Sequence, residues 1–154
     1  MTQSHTIEIW TDGGCRGNPG AGAWAFVITT GSSLVERSGF EPQTTNNRME
    51  LTAVREALRE IGDNEQWKSF PITVSTDSQY VQKGITEWIR AWERNSWRTS
   101  SNKPVKNLDL WSALWELARN RPITWTWVMG HAGNPMNERC HRLVEQAIER
   151  GSSP

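Results

Sequence analysis

The chain has 154 residues, and its 17 basic side chains balance 17 acidic ones. This length suits one compact domain, so we expect a single unit over residues 1–154. Zero net charge excludes nucleic-acid binding through global charge and leaves local positive patches as the alternative. No apolar run is long enough to cross a bilayer and no basic, apolar leader is present, which predicts a cytoplasmic protein without a membrane partner.

The first half of the chain has the pattern of an antiparallel meander followed by a helix. Residues 6–12, T-I-E-I-W-T-D, alternate like a half-buried strand, and the turn residues G-G-C-R-G-N-P-G follow. Two more strand-like runs begin at positions 23 and 33. From Asn46, apolar residues at positions 54, 57, 58 and 61 predict a helix of about four turns, with an Asn available as the N-cap.

The second half alternates helical and strand patterns. The run P-I-T-V-S-T-D is typical of a buried parallel strand. Two helical stripes follow, and their members are Ile85, Trp88, Ile89 and Trp92, then Leu108, Trp111, Trp115 and Ala118. One more strand places Ile123, Trp125 and Trp127 on one side, and residues 137–148 form a closing helix. Strands first, then alternating helices and strands, predict an α/β fold with one mixed sheet and helices on its faces.

The composition points to a reduced, monomeric protein. Cys15 and Cys140 are far apart and outside any CxxC spacing, which favours free thiols over a disulfide or a zinc site. Ten tryptophans accompany one tyrosine, and their helical or strand spacing is typical of core residues. No feature of the composition indicates a self-association surface, so we expect a monomer.

Two aspartates end predicted strands in similar settings, and a glutamate follows on the predicted helix. Asp12 stands in T-D-G and Asp77 in T-D-S, and functional sites of mixed sheets gather beyond strand ends. An Asp that begins a turn is the common alternative for either residue. Glu50 strengthens the functional interpretation because, at about 100° per residue, it lies in the middle of the apolar helical stripe. Its carboxylate is therefore predicted to face the sheet.

Three like charges buried together need a counter-charge. Burying one unpaired carboxylate costs on the order of several kcal/mol, and three together cost more. A divalent cation resolves this, and oxygen ligands select hard ions such as Mg²⁺. Two such ions could generate a hydroxide and stabilise the leaving oxygen in phosphodiester cleavage. The three residues therefore predict a metal site with hydrolytic chemistry.

Five blocks of the sequence together resemble bacterial type 1 ribonuclease H. They are T-D-G-G-C-R-G-N-P-G, T-T-N-N-R-M-E-L, S-T-D-S-Q-Y-V, the W-x3-W-x4-W-R stretch that leads to K-P-V-K-N-x-D-L-W, and V-M-G-H-A-G-N-P-x-N-E-R-C. The resemblance extends from about Ile7 to Ile148. It implies a sheet of five strands, three antiparallel then two parallel, with helices on both faces. It also implies cleavage of the RNA strand of RNA/DNA hybrids with Mg²⁺ or Mn²⁺, leaving 5′-phosphate and 3′-hydroxyl ends.

The resemblance also implies roles for individual residues. Asp12, Glu50 and Asp77 match the metal-binding carboxylates of the family. His131, in the loop G-H-A-G-N, resembles a mobile histidine that shuttles protons or assists product departure, and imidazole titrates near neutral pH. An incidental loop histidine is the alternative for that position.

Substrate recognition must distinguish ribose from deoxyribose through the 2′-hydroxyl. The residues that resemble the family's minor-groove, 2′-hydroxyl and phosphate contacts are Gly13, Gly14, Asn18, Thr45, Asn46 and Gln79. Amides both donate and accept hydrogen bonds, which suits hydroxyls and base edges. Each of these residues could separately be a cap or a turn residue.

Residues 83–106 resemble the basic handle with which the family grips the duplex backbone. The cations of this segment are Lys83, Arg90, Arg94, Arg98, Lys103 and Lys106. Trp88, Trp92 and Trp97 lie among them, and Trp88 and Trp92 also fit a handle core. Glu93 interrupts the patch, so we expect a weaker salt dependence of binding than a denser patch would give. The predicted substrate contacts in this segment are Trp88, Arg94, Trp97, Arg98, Lys103 and Lys106.

One position departs from the family pattern. Members commonly have a fourth acidic residue just after N-E-R-C, where this chain has His141. His141 could ligate a metal or position water, could be a spectator, or could mark a hybrid-binding protein that has lost activity. We favour a ligand with activity retained, which predicts a shift towards Mn²⁺ relative to a His141→Asp variant. A ligating imidazole must be neutral, so activity should fall as pH drops through about 6 to 7.

Other enzyme classes remain as alternatives at this point. A metal-dependent phosphomonoesterase could use aspartates at strand ends, but it would not require the Asn, Gln and Trp-rich basic segments. An integrase-like or exonuclease relative of the same fold is a further alternative, and the handle-like segment is evidence against it.

Overall fold

A computed structural model describes residues 6–130 and 133–152. The five strands are β1 (Ile7–Arg16), β2 (Gly20–Thr30), β3 (Ser33–Thr44), β4 (Ile72–Thr76) and β5 (Ile123–Trp127). The α-helices are α1 (Asn46–Gly62), α2 (Gln79–Lys83), α3 (Ile89–Arg94), α4 (Leu108–Ala118) and α5 (Pro135–Ser152). A 3-10 turn spans Glu65–Trp67, and a π-helical turn spans Gly84–Trp88 between α2 and α3.

The strands form one mixed sheet in the order β3-β2-β1-β4-β5. β1, β2 and β3 pair antiparallel, whereas β4 runs parallel to both β1 and β5. The prediction of three antiparallel strands followed by two parallel ones is therefore confirmed.

The two faces of β2 show why helices cover both sides of the sheet. Phe26 and Ile28 belong to the larger core, which also contains the buried face of α1. Ala23 and Ala25 point to the opposite face, where they pack with Val144 and other apolar residues of α5. Small side chains on that face let α5 lie close to the sheet. Close packing of α1 and α5 fixes the distance between each helix and the strands, and so positions the polar residues of both helices.

The first strand is longer than the turn chemistry predicted. Residues 13–16 continue β1, and Gly13 pairs with Trp24 of β2. The prediction of a turn there is wrong because the glycine is needed for close packing: a Cβ on Gly13 would lie 2.3 Å from the backbone carbon of Met49. The turn begins instead at Gly17, where φ is positive.

The helix caps and faces also differ in detail from the prediction. Thr45, rather than an Asn, caps α1 by accepting a hydrogen bond from the Arg48 amide. The π-helical turn changes the angular spacing, so Trp88 lies on the surface although Ile85 and Ile89 are buried. Leu108 is exposed too, because α4 buries Leu110 and neighbouring residues instead.

Among the described residues, no helix combines the length and apolar character that a membrane span requires.

Candidate active site

Two neighbouring parallel strands bring Asp12 and Asp77 together. Thr11 of β1 pairs with Thr76 of β4, so the next residue of each strand leaves the register at the same edge of the sheet. Glu50 reaches this edge from the first turns of α1, whose buried face lies against the sheet. One carboxylate oxygen from each of Asp12, Glu50 and Asp77 lies within 4.8 Å of the other two. The structure thus brings together the three carboxylates that the sequence singled out.

The three carboxylates lie close together with little solvent exposure, and all of them are negative when ionised. Asp12 is 5% exposed and Glu50 is 8% exposed. Burial, followed by the charge of Asp77, raises the pKa of Asp12 to about 6. Burial, followed by the charge of Asp12, raises the pKa of Glu50 well above its usual range. In the absence of a cation, the raised pKa values favour proton uptake by the cluster, which relieves part of its repulsion.

The donor set fits a hard divalent cation. All three side chains offer carboxylate oxygens, the ligands that Mg²⁺ and similar ions prefer. Glu50 Oε2 is buried and has no hydrogen-bond partner among the described residues. A buried anionic oxygen without a partner is costly, so a cation at this point would satisfy it. The donor set and its geometry therefore suit a divalent metal ion.

His141 lies beside this cluster, on α5. Its Nδ1 is 3.4 Å from Asp12 Oδ2, and its Nε2 is 3.9 Å from Glu145 Oε1. The side chain of His141 is 45% exposed, which places it at the rim of the cluster rather than within it. The ring therefore borders both the carboxylates and the adjoining cleft.

A cleft of about 450 Å³ opens in front of the carboxylates. Three of the predicted substrate contacts line it, namely Gly13, Gly14 and Asn46. Asn46 Oδ1 accepts a hydrogen bond from the Cys15 amide at 2.8 Å, and Asn18 Oδ1 accepts one from the Asn46 amide at 3.2 Å. These two hydrogen bonds thus link the end of β1 and the turn after it to the start of α1. Both use the side-chain oxygens, so the side-chain NH₂ groups of Asn46 and Asn18 are candidate donors to a substrate.

Thr45 and Gln79 are not part of the cleft lining. Thr45 Oγ1 accepts a hydrogen bond from the Arg48 amide at 3.2 Å. Thr45 therefore caps α1 in addition to any contact that it makes with a substrate. Gln79 is exposed at the first residue of α2, two positions after Asp77. Both therefore flank the cleft rather than form it.

The predicted handle, residues 83–106, contains the π-helical turn and α3. Its cations are all exposed, namely Lys83, Arg90, Arg94, Arg98, Lys103 and Lys106. A short bridge between Arg98 and Pro104 closes the tip. Trp88 packs against Tyr80 and Trp92, with ring centroids 6.1 Å and 5.8 Å away, yet it is 37% exposed. Trp97 is half-buried against the larger core.

Three residues that the sequence did not single out also shape the site. Arg16 and Glu145 line the cleft and form an ion pair at 3.4 Å. Trp127 Nε1 donates a hydrogen bond to the backbone carbonyl of Asp77 at 3.0 Å. Glu145 could have been found by its i,i+4 spacing from His141. Arg16 and Trp127 had no local signal, because their partners are 129 and 50 residues away.

His131, the predicted mobile histidine, lies outside the described residues. The glycine before it is described: a Cβ on Gly130 would lie 3.1 Å from Asp77 Oδ2. The chain that leads to His131 therefore passes directly beside the carboxylate cluster.

A five-stranded sheet of this order, with two aspartates where the pairing of β1 and β4 ends and a glutamate brought to them by α1, defines a ribonuclease H-like protein. The family model described as RNase H matches residues 4–149. The chain belongs to the RNase H family.

Curated relatives match over nearly their full length. Ribonuclease H of Granulibacter bethesdensis is 48% identical over 149 residues, covering 97% of this chain and 96% of the relative. Ribonuclease H of Thiobacillus denitrificans is 50% identical over 142 residues, covering 92% and 93%.

Solved structures share the fold. LC9-RNase H1, a type 1 RNase H with the type 2 active-site motif, has a TM-score of 0.83 at 31% identity, covering 99% of this chain and 76% of that one. LC11-RNase H1, solved in complex with an RNA/DNA hybrid, has a TM-score of 0.75 at 23% identity, covering 96% and 100%. At the latter identity the likeness concerns the fold alone.

Proposed function

We propose that this protein is an endoribonuclease that cleaves the RNA strand of RNA/DNA hybrids and leaves 5′-phosphate and 3′-hydroxyl ends. Membership of the RNase H family and the names of the curated relatives support this activity. The single structural observation that carries the proposal is the convergence of Asp12, Glu50 and Asp77 within 4.8 Å. Without a cation such a cluster costs folding free energy, because burial and like charge raise the pKa values of Asp12 and Glu50.

Asp12, Glu50 and Asp77 are the proposed metal ligands, and Mg²⁺ or Mn²⁺ is the proposed cofactor, with two ions when the hybrid is bound. Bound divalent ions supply an activated water and stabilise charge on the leaving oxygen. The protein's own contribution is positional. β1 and β4 place the two aspartates directly after their last paired residues, Thr11 and Thr76, and α1 keeps Glu50 out of bulk water.

His141 is proposed as the fourth ligand or as the residue that positions the attacking water. Its Nδ1 faces Asp12 at 3.4 Å, within reach of any ion that Asp12 holds. Because imidazole is a softer ligand than carboxylate, the parent should favour Mn²⁺ more strongly than a His141→Asp variant does. On the basis of its sequence context, His131 remains a residue predicted to shuttle protons or to assist product departure.

Substrate recognition is proposed to divide between the cleft and the handle. Gly13, Gly14 and Asn46 offer backbone and amide groups in the cleft, with Asn18, Thr45 and Gln79 beside it. These groups suit ribose hydroxyls, minor-groove edges and a phosphate of the DNA strand. On the handle, Trp88 and Trp97 with Arg94, Arg98, Lys103 and Lys106 suit a duplex backbone.

A cleavage assay on an RNA/DNA hybrid tests the activity. The parent is expected to cut the RNA strand with Mg²⁺ and with Mn²⁺, and Asp12→Asn should abolish cutting and so control for contaminating nuclease. The same assay on His141→Asp and His141→Ala tests the fourth position. If His141→Ala matches the parent in rate, metal preference and pH profile, the proposed role of His141 is wrong.

His141 also supports a second candidate, a hybrid-binding module with weakened catalysis. It predicts tight hybrid binding with little cleavage by the parent, and recovery of cleavage in His141→Asp. Full activity of the parent with either metal would exclude this candidate.

A further inference from the structure

The imidazole of His141 stands between two carboxylates of different elements. Nδ1 faces Asp12 on β1 at 3.4 Å, and Nε2 faces Glu145 on α5 at 3.9 Å. Glu145 follows His141 by one helical turn, so the two side chains share a face of α5. The two ring nitrogens are chemically distinct, and the group that faces one of them influences the state of the other.

Glu145 is itself held in place. Its Oε2 is 3.4 Å from Arg16 Nη2, and Arg16 also lies 3.8 Å from Glu149 Oε1. Arg16 is the last residue of β1, the strand that carries Asp12. Asp12, Arg16, His141 and Glu145 all line the same cleft. The ion pair thus connects the rim of the cluster on α5 to the strand that supplies a proposed metal ligand.

A histidine can bind a metal only through a nitrogen lone pair, and its other nitrogen then carries the proton. A carboxylate facing that second nitrogen accepts a hydrogen bond from its N–H, which sets the ring orientation and makes the ligating nitrogen more basic. Here Nδ1 is the nitrogen beside Asp12, and Glu145 faces Nε2. The 3.9 Å separation is longer than a hydrogen bond. Both side chains are about half exposed, so the proposed hydrogen bond requires the two side chains to rotate towards each other.

We propose that Glu145, anchored by Arg16, is a positioning residue that holds the His141 ring with Nδ1 directed at the metal site. This inference rests on the proposed function, in which His141 contributes to metal binding. Glu145 does not contact the metal cluster itself. Its effect passes through His141, which distinguishes it from an acidic residue that attracts cations only by its charge.

Calorimetric titration of Mn²⁺ into the intact protein tests this inference without relying on activity. Glu145→Ala is expected to weaken Mn²⁺ binding by about tenfold, the low end of the range for partners of metal-binding histidines. Glu145→Gln keeps an oxygen that can accept from Nε2–H, so it should stay within about twofold of the parent. Glu149→Ala, the matched control, removes the other partner of Arg16 and should have little effect.

A second variant, His141→Asp, distinguishes positioning of the imidazole ring from a purely electrostatic effect of the Glu145 charge. In His141→Asp there is no ring to orient, so adding Glu145→Ala should not weaken Mn²⁺ binding further. The inference is overturned if Glu145→Ala binds like the parent. It is equally overturned if Glu145→Gln loses as much affinity as Glu145→Ala, or if the loss persists in His141→Asp.

The outcomes also separate this inference from the proposed function. If His141→Ala weakens Mn²⁺ binding but Glu145→Ala does not, positioning is wrong and the role of His141 stands. If neither variant changes binding, both the positioning role and the ligand role are wrong. Cleavage of the hybrid by the parent is measured independently of either result. Circular dichroism of each variant verifies that α5 remains folded, and alanine is favourable in a helix interior.

Discussion

The carboxylate cluster should make the metal-free protein less stable than a variant that lacks one of the charges. Burial and Asp77 raise the pKa of Asp12 from 3.8 to about 6. A shift of about two pKa units, at 1.36 kcal/mol per unit, corresponds to a folding cost of about 3 kcal/mol at neutral pH. Part of that cost is shared with Glu50, so Asp12→Asn is expected to stabilise the metal-free protein by about 1 to 3 kcal/mol.

The pH dependence follows from the sign of the shift. Because the pKa of Asp12 is raised in the folded state, the cost is absent below the unfolded pKa near 4 and complete above about 6. The parent should therefore lose stability relative to Asp12→Asn as pH rises through this window. A stabilisation of this size corresponds to a rise in Tm of about 2 to 12 °C for a chain of this length.

Thermal unfolding followed by circular dichroism, in EDTA at pH 4 and at pH 7.5, measures this effect. Asp63→Asn is the matched control, since Asp63 is an exposed residue after α1 and should change stability by less than about 0.5 kcal/mol. Saturating Mg²⁺ should raise the Tm of the parent more than that of Asp12→Asn, because only the native cluster binds the ion well. An Asp12→Asn variant that is no more stable than the parent at pH 7.5, or equally stabilised at pH 4, would refute the electrostatic argument.

Three further predictions concern packing, the support of Asp77, and the handle. Gly13→Ala should lower the free energy of unfolding, measured in urea, by about 1 to 3 kcal/mol, because its Cβ would meet the Met49 backbone at 2.3 Å. Gly14→Ala is the control and should leave the stability unchanged, since its Cβ would lie 3.9 Å from its nearest neighbour. Equal losses in the two variants would contradict the packing argument. Trp127→Phe removes the hydrogen bond to the Asp77 carbonyl, so it should lower the free energy of unfolding by about 1 kcal/mol and weaken Mn²⁺ binding. Trp115→Phe is the control and should leave Mn²⁺ affinity unchanged, because the indole N–H of Trp115 has no partner among the described residues. An equal loss of affinity in both variants would exclude a role for the hydrogen bond. Arg94→Gln should weaken hybrid binding and reduce its salt slope by about one, whereas Glu93→Gln should tighten binding; an unchanged slope would place the handle away from the duplex.

Local sequence patterns were enough to predict the fold class and the identity of the carboxylate cluster. Alternation in β1 and the stripe of α1 are short-range features that hydrophobic burial enforces in any compact chain. Glu50 was informative for the same reason: a charge in the middle of an apolar stripe contradicts the local pattern, and such a contradiction is expected at a functional site. The five blocks then specified the family.

Only the tertiary structure decided the contacts that depend on residues distant in the chain. The continuation of β1 through Gly13 depends on the approach of the α1 backbone, and the exposure of Trp88 depends on the π-helical turn before α3. The pairing of Arg16 with Glu145 and the 3.4 Å approach of His141 to Asp12 span 129 residues each. Sequence patterns report which face of an element is buried, but distances between elements follow from how the whole chain packs, which no local pattern encodes.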